Sequence, residues 1–383
     1  MKTLFVRVLA AALCCALFCS CAAVKNSKAA PGAQKKVCVG LYVDLGASGN
    51  GVFHLASLIA HSPQTELVTL MAKDIREGKL KEIDILVMPG GGSTTQCVTI
   101  GEKHHDKIRD FLRNGGGYVG TCAGMFNVLM IPKRLQLLPF SRHGGAGSST
   151  AYTAVDITPE GAKILGIAPG LRKPRYSGGP VAFPVKDAKC EGKGMTLATF
   201  KQAVSKKPQH AGKFIGSSAM IYGTFGKGKI IATSFHPEYS VNSHDIMLGC
   251  FYAVNGVKMT PKFPQKNPRA WRVGVLAVGI TGHGPVKTVL DLEKHPDIDV
   301  EYVMMAEINQ GIMKHLDFLV MPHGNKPVID KYMGGAFAQQ QLKMFLARGG
   351  VILASGNAAG IVPKHKNAKK LPEKVDFKKY ILK

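Results

Sequence analysis

Three residue types are spaced so that they could carry covalent chemistry together. In "GGGYVGTCAGMF" (115–126), Cys122 follows a short apolar run and sits between Gly120 and Gly124. A buried structural cysteine needs no such glycines. A cysteine displayed on a sharp strand-to-helix turn does, because the crowded backbone leaves little room for side chains on either side. A thiol acts as a nucleophile only with a base in reach and a third group to orient that base. "KIIATSFHPEYS" (229–240) offers both: an apolar run delivers His236, Pro237 and Glu238. On an extended backbone His236 and Glu238 face the same way. The carboxylate can then hold one imidazole nitrogen while the other faces the thiol. Attack on a carbonyl also calls for backbone N–H donors aimed at the developing oxyanion. The glycines of "MPGGG" (88–92) can approach a substrate that closely, and the amide of Ala123 follows the nucleophile directly.

These residues need strands to carry them, and the chain supplies strands alternating with helical stretches, the pattern of a parallel sheet covered by helices. From Lys36 onward come "VCVGLYVD", the helical "GVFHLASLIAHS", "ELVTLM", "IDILVMP", the helical "HDKIRDFLRNGG" and "GYVGTC". The same pieces return later in the same order. "VGLYV" (39–43) matches "VGVLAV" (273–278), "IDILVMPGGG" (83–92) matches "LDFLVMPHGN" (316–325), and "FLRNGG" (111–116) matches "FLARGG" (345–350). Ordered matching of three elements marks an internal duplication. Aligning the strands puts Ser355 opposite Cys122, and aligning the helices puts Gly356 there. Neither is a thiol, so the second copy is expected to be chemically silent and about half as long.

"PGGG", "GGGYVGTCAGMF" and "FHPE", in that order, resemble the class I glutamine amidotransferases. The likeness is to the variant found as the N-terminal domain of some biotin–protein ligases, which "RYSGGPVAF" (175–183) also resembles. The resemblance covers about 36–257 and, more faintly, the second copy. It implies an α/β fold: a parallel-sheet three-layer sandwich of flavodoxin-like topology, followed by a smaller partial duplicate. It also implies that Cys122 attacks a carboxamide to give a thioester, with His236 as base and Glu238 as its orienter. Gly91, Gly92 and Ala123 would line the oxyanion hole. No synthetase or ligase catalytic domain accompanies these motifs, so the fold alone does not assign the activity.

The remaining sequence bounds the setting. The 383 residues carry a formal charge of +25, suited to anionic partners. No stretch interleaves arginine with aromatic residues as base stacking requires, so no nucleic-acid partner is expected. "MKTLFVRVLAAALCCALFCSCAA" (1–23) has Lys2 and Arg7 before an apolar run and small residues, the pattern of an export signal. An uncleaved anchor is the other reading of it. "FCSC" loosely resembles a lipobox with Cys21 as the lipidated residue, and ordinary cleavage after Ala22 or Ala23 is the alternative. The expected organisation is a signal over 1–23, a tether over 24–35, the first copy over 36–257, a linker over 258–270 and the second copy over 271–383. Five cysteines fall in the body of the chain with wide spacings and no Cys-x-x-Cys pair, which suggests neither a disulfide framework nor zinc. His104 and His105 read as solvated residues opening a helix. His244 and Asp245 read as the start of the next helix. No cofactor and no metal are expected. Two functions compete: an exported cysteine-dependent hydrolase of a small amide, γ-glutamyl or peptide-like substrate, and a non-catalytic binding or scaffold protein that retains the fold. In either, a lipidated N-terminus would anchor the protein to a membrane in the cell envelope or periplasm.

Overall fold

The computed structural model describes residues 35–144, 150–205 and 208–382. Residues 1–23 with Cys21, and the tether apart from its last residue, lie outside the described residues. So do 145–149, within "SRHGGAGSST" (141–150).

Strands β1 (Val37–Tyr42), β2 (Thr65–Leu70), β3 (Ile85–Met88) and β4 (Gly117–Thr121) pair in the order β2-β1-β3-β4, all parallel. β3 and β4 are buried at every position, as expected of strands covered on both faces. Val39, Leu41, Ile85 and Val87 pack with helices Gly49–Ala60 and His244–Asn255; Tyr42, Leu86, Met88 and Tyr118 pack with helices His105–Arg113 and Ala123–Val128. Neighbouring residues of one strand thus supply the two cores of a three-layer sandwich.

The long segment after Cys122 adds an antiparallel half to this sheet. It contains β5 (Phe140–Arg142), β6 (Thr150–Tyr152), β7 (Val155–Ile157), β8 (Gly170–Arg172), β9 (Arg175–Ser177), β10 (Ala182–Pro184), β11 (Lys193–Phe200) and β12 (Ser218–Phe225), before β13 (Gly228–Thr233) returns parallel to β4. The sheet continues as β4-β13-β12-β11-β7-β8. β12 and β13 are joined only by Gly226 and Lys227, with Gly226 at φ +58°. That connection is too short for a parallel crossover, so the alternating pattern gives way to hairpins here.

A second sheet repeats the parallel half. Its strands are β14 (Trp271–Leu276), β15 (Ile298–Val303), β16 (Phe318–Met321), β17 (Val351–Ser355) and β18 (Ala368–Leu371), in the order β15-β14-β16-β17-β18. Register settles the alignment. Val39 pairs with Ile85 as Val273 pairs with Phe318, and Met88 pairs with Gly120 as Met321 pairs with Ala354. Pro322 therefore matches Pro89, and Gly356 rather than Ser355 matches Cys122. Even side-chain bonds recur: Cys38 N–H donates to Asp84 at 2.8 Å and Arg272 N–H to Asp317 at 2.9 Å. The match extends further than the sequence comparison did, because β18 lies beside β17 where β13 lies beside β4.

The two copies pack through equivalent helices, 49–60 against His283–Glu293. Gly282 N–H donates to Val43 C=O at 2.7 Å. One residue past the reciprocal position, a Cβ on Gly49 would meet the Ala277 carbonyl oxygen at 1.9 Å. Buried Glu293 accepts from Ser57 at 2.9 and 3.0 Å, from the Tyr302 hydroxyl, and lies 3.1 Å from His61 Nε2. One hydrophobic cluster runs through both copies, from Val39 and Phe53 to Val273 and Val289.

Candidate active site

Cys122 occupies the turn between β4 and helix Ala123–Val128 with φ +50° and ψ −98°. This backbone is sterically costly for a residue with a Cβ, and a displayed nucleophile is one reason for a fold to hold it. The glycines flanking it at two residues' distance make it feasible. A Cβ on Gly120 would come within 2.7 Å of the Gly124 carbonyl carbon, and one on Gly124 within 2.1 Å of the Met88 carbonyl oxygen.

β13 ends beside β4, with Thr233 opposite Thr121, and so delivers His236 to the same sheet edge. His236 Nδ1 lies 2.9 Å from Glu238 Oε1, which also accepts from Thr121 Oγ1 at 3.3 Å. Glu238 is fully buried, and its Oε2 has no partner among the described residues. Cys122 and His236 border one small space: a Cβ on Gly90 would lie 2.6 Å from His236 Cε1 and 3.4 Å from Cys122 Cβ. The thiol donates to the Ser177 carbonyl at 3.4 Å. Cys122 is 5 % exposed and His236 3 %. Burial opposes charge on this imidazole, but the acidic groups around it, Tyr239, Glu238 and Cys122, more than reverse that and hold it well above the usual histidine range.

The expected oxyanion donors divide. Gly92 N–H is already spent on the Gly46 carbonyl at 2.8 Å, which removes it from that role. The bridge between Ala47 and Gly91 causes this by pairing the loop with the 46–48 segment. Among the described residues, Gly91 and Ala123 N–H have no such acceptor. Gly91 holds φ +132°, and a Cβ there would sit 2.1 Å from Gly46 O. Buried Gln96 braces the loop, donating to Pro89 O at 2.9 Å and accepting from Asn127 at 2.7 Å.

The "RYSGGPVAF" segment walls the site. Arg175 C=O accepts from His236 N–H at 2.8 Å. Tyr176 hydroxyl donates to Gly179 C=O at 2.6 Å. Tyr239 stacks on the His236 ring with centroids 4.5 Å apart and planes 4° from parallel, and the Arg175 guanidinium lies 5.3 Å from the Tyr239 ring centroid. Sequence reasoning stopped at Glu238 and missed Tyr239, although it is the next residue in the motif. Thr121, just before the cysteine, was missed as well. His244 Nε2 lies 3.2 Å from the Glu238 backbone oxygen, close behind the site, and also opens helix 244–255 as expected. His104 is half-buried, whereas His105 is fully buried against the Cys97 carbonyl at 3.3 Å, so the expectation of solvated histidines fails for His105. Burial of its ring against that backbone explains the difference.

Among the described residues, Cys97, Cys122, Cys190 and Cys250 form no disulfide with one another. Burial pushes the Cys97 thiol up to about 11, and it pushes Cys250 further in the same direction. In the second copy Gly356 repeats the elbow backbone at φ +53°, but His323 fills the space beside it: a Cβ would meet its Nδ1 at 2.2 Å.

Known proteins resemble parts of this chain. The family "Biotin-protein ligase, N terminal" matches residues 39–128. Biotin–protein ligase of Schizosaccharomyces pombe is 29% identical over 180 residues, covering 43% of this chain and 27% of the ligase. The chain thus spans about a quarter of that relative's length. Pyridoxal 5'-phosphate synthase subunit PdxT of Rhodococcus opacus is 30% identical over 166 residues, covering 43% of this chain and 75% of PdxT. Among solved structures, PurLQS from Thermotoga maritima aligns at 13% identity with a TM-score of 0.42, over 57% of this chain and 98% of that one.

Proposed function

The chain belongs to the class I glutamine amidotransferase-like family, and on that footing we propose that it is a cysteine-dependent amide hydrolase. The observation that carries this is the 2.9 Å contact of His236 Nδ1 with Glu238, in a ring that shares one small space with the Cys122 side chain. With Nδ1 committed, Nε2 is the nitrogen left to serve the thiol. In the proposed reaction Cys122 Sγ attacks the carboxamide carbon and its proton passes to His236. The elevated imidazole is suited to hold that proton. Gly91 and Ala123 N–H donate to the tetrahedral oxyanion. Collapse breaks the C–N bond, and His236 returns the proton to the departing ammonia or amine. Water then attacks the thioester, giving a carboxylic acid and free Cys122. Glu238 keeps the ring oriented through its contact with Nδ1.

The substrate we propose is small: an amide, γ-glutamyl or peptide-like compound. Export is proposed on Lys2, Arg7 and the apolar run after them, and anchoring through Cys21 on the lipobox-like "FCSC", with cleavage after Ala22 or Ala23 as its alternative. The second reading, a binding or scaffold protein, is favoured by the near-complete burial of the thiol and imidazole.

The test is ammonia release from L-glutamine and γ-glutamyl amides, together with labelling by a diazo-ketone analogue of glutamine. Release should depend on Cys122, falling by about 1,000-fold or more in Cys122→Ala, and the label should sit on Cys122. Turnover that survives Cys122→Ala, or a label on another cysteine, overturns the hydrolase reading.

A further inference from the structure

The second copy has lost the thiol but not its contact with the site. Glu307 lies in the first turn of the short helix Met305–Asn309, and its Oε2 accepts from Met304 N–H at 3.1 Å. Its counterpart in the first copy is Asp74, which accepts from Met71 N–H at 2.8 Å in the same way. Asp74 turns its other oxygen to Lys79 in its own copy, at 2.5 Å. The residue matching Lys79 is Ile312, so that local cation is gone. Glu307 Oε1 instead reaches across to Arg175 Nη1 at 3.6 Å, its one ion pair among the described residues.

Arg175 reaches His236 directly and through Tyr239. Its carbonyl accepts the His236 N–H, and its guanidinium lies near the Tyr239 ring that stacks on the imidazole. A second contact converges on the same ring: Tyr302 of the second copy stands edge-on to His54 at 4.7 Å, and His54 lies 5.2 Å from Tyr239. We propose that the second copy positions the reacting pair of the first, with Glu307 as a positioning residue that acts on His236 through Arg175 and Tyr239. This rests on the reading of Cys122 and His236 as that pair.

The groups around His236 are Glu238 and Tyr239 from its own segment, Cys122 from the elbow and His54 from helix 49–60, with Arg175 of β9 over the Tyr239 ring and His244 of helix 244–255 against the Glu238 backbone oxygen. Of these, Arg175 is the fixed cation, and Glu307 is its counter-charge. Removing that counter-charge leaves the guanidinium's positive charge uncompensated beside Tyr239, the ring on which the imidazole stacks. The imidazolium should then lose its proton at lower pH.

The experiment measures the rate of Cys122 modification by iodoacetamide in the full chain across pH, by peptide mass spectrometry, for the unaltered protein, Glu307→Gln and Glu307→Asp. The amide of Glu307→Gln can still accept from Met304 N–H, so the helix cap is retained. Glu307→Gln should slow modification about threefold or more and move its alkaline limb down by about half a pH unit. Glu307→Asp, which keeps the charge, should move the limb back. Equal rates and limbs in unaltered protein and Glu307→Gln, with Cys122 reacting in both, overturn the role of the second copy alone. A shift that Glu307→Asp does not reverse, accompanied by new labelling at Cys97 and Cys250, marks general loosening and also overturns it. No modification of Cys122 in any of the three removes this inference and the nucleophile reading together.

Discussion

Gly90→Ala tests whether the gap between Cys122 and His236 is a functional distance. The added methyl would lie 2.6 Å from His236 Cε1, 3.3 Å from its Nδ1 and 3.4 Å from Cys122 Cβ. Ordinary contact begins near 3.4 Å, so the ring edge must retreat by about 0.8 Å, a displacement of the size that costs roughly 100-fold in rate when it falls on reacting groups. The ring has nowhere easy to go. Tyr239 is stacked on it, and Glu238 holds Nδ1. Overpacking of this kind also costs about 1–3 kcal/mol in stability, which leaves a folded protein to assay. Gly51→Ala is the matched control. Its methyl would sit 3.4 Å from the Tyr239 hydroxyl and 3.5 Å from Glu238 Oε1, in ordinary contact with the same residues. Gly51 lies inside helix 49–60, where alanine should gain about 0.5–1 kcal/mol. Ammonia release, Cys122 alkylation and thermal melts of both variants decide the matter. Near-normal turnover in Gly90→Ala, or equal damage from Gly51→Ala, would refute the reasoning.

Three further outcomes are expected. Alkylation without reductant near neutral pH should modify Cys122 well ahead of Cys97 and Cys250, whose thiols burial pushes up; peptide mapping that finds Cys97 first would contradict this. Glu293→Ala should destabilise the protein by about 3–5 kcal/mol, since it strands Ser57, His61 and Tyr302 at the contact between copies; a denaturant midpoint within error of the unaltered protein would count against that network. Because the folded-state His236 is raised, its contribution to stability is fully present below the unfolded value of about 6.5 and is lost as pH rises through the folded one. Relative to His236→Gln, the unaltered protein should therefore lose part of its advantage in urea melts taken in alkaline buffer, and a growing advantage there would reverse the sign.

Much of the site is local in sequence, and that part was legible. The elbow at Cys122 needs small neighbours within two residues, and the strand before His236 announces itself by its apolar run. Gly92 was misjudged because its N–H is consumed by Gly46, 46 residues away, and no spacing rule reports such a bond. Arg175 and Glu307 meet across 132 positions, from a wall segment and a short helix with no shared periodicity. The duplication was visible where strands are long and apolar. β18 escaped notice because "AKKL" is a half-exposed edge strand, buried at neither end in the way β3 is. The antiparallel half of the first sheet was equally hidden, since short hairpin strands carry little pattern of their own.

The pairing of helix 49–60 with its counterpart 283–293 is the kind of face-to-itself contact on which homodimers are built. Here both partners lie on one chain, joined through residues 256–270, which contain neither helix nor strand. Mass action no longer governs it. Dilution does not part the partners, because the linker holds each at a high effective concentration around the other. Covalent union also releases the halves from identity. In a true dimer every substitution appears twice, so a thiol lost from one elbow is lost from both. In this chain one half keeps Cys122 while the other carries Gly356 beneath His323, and Glu307 is free to differ from Asp74. The division of labour that a symmetric pair cannot evolve becomes available at a single mutation.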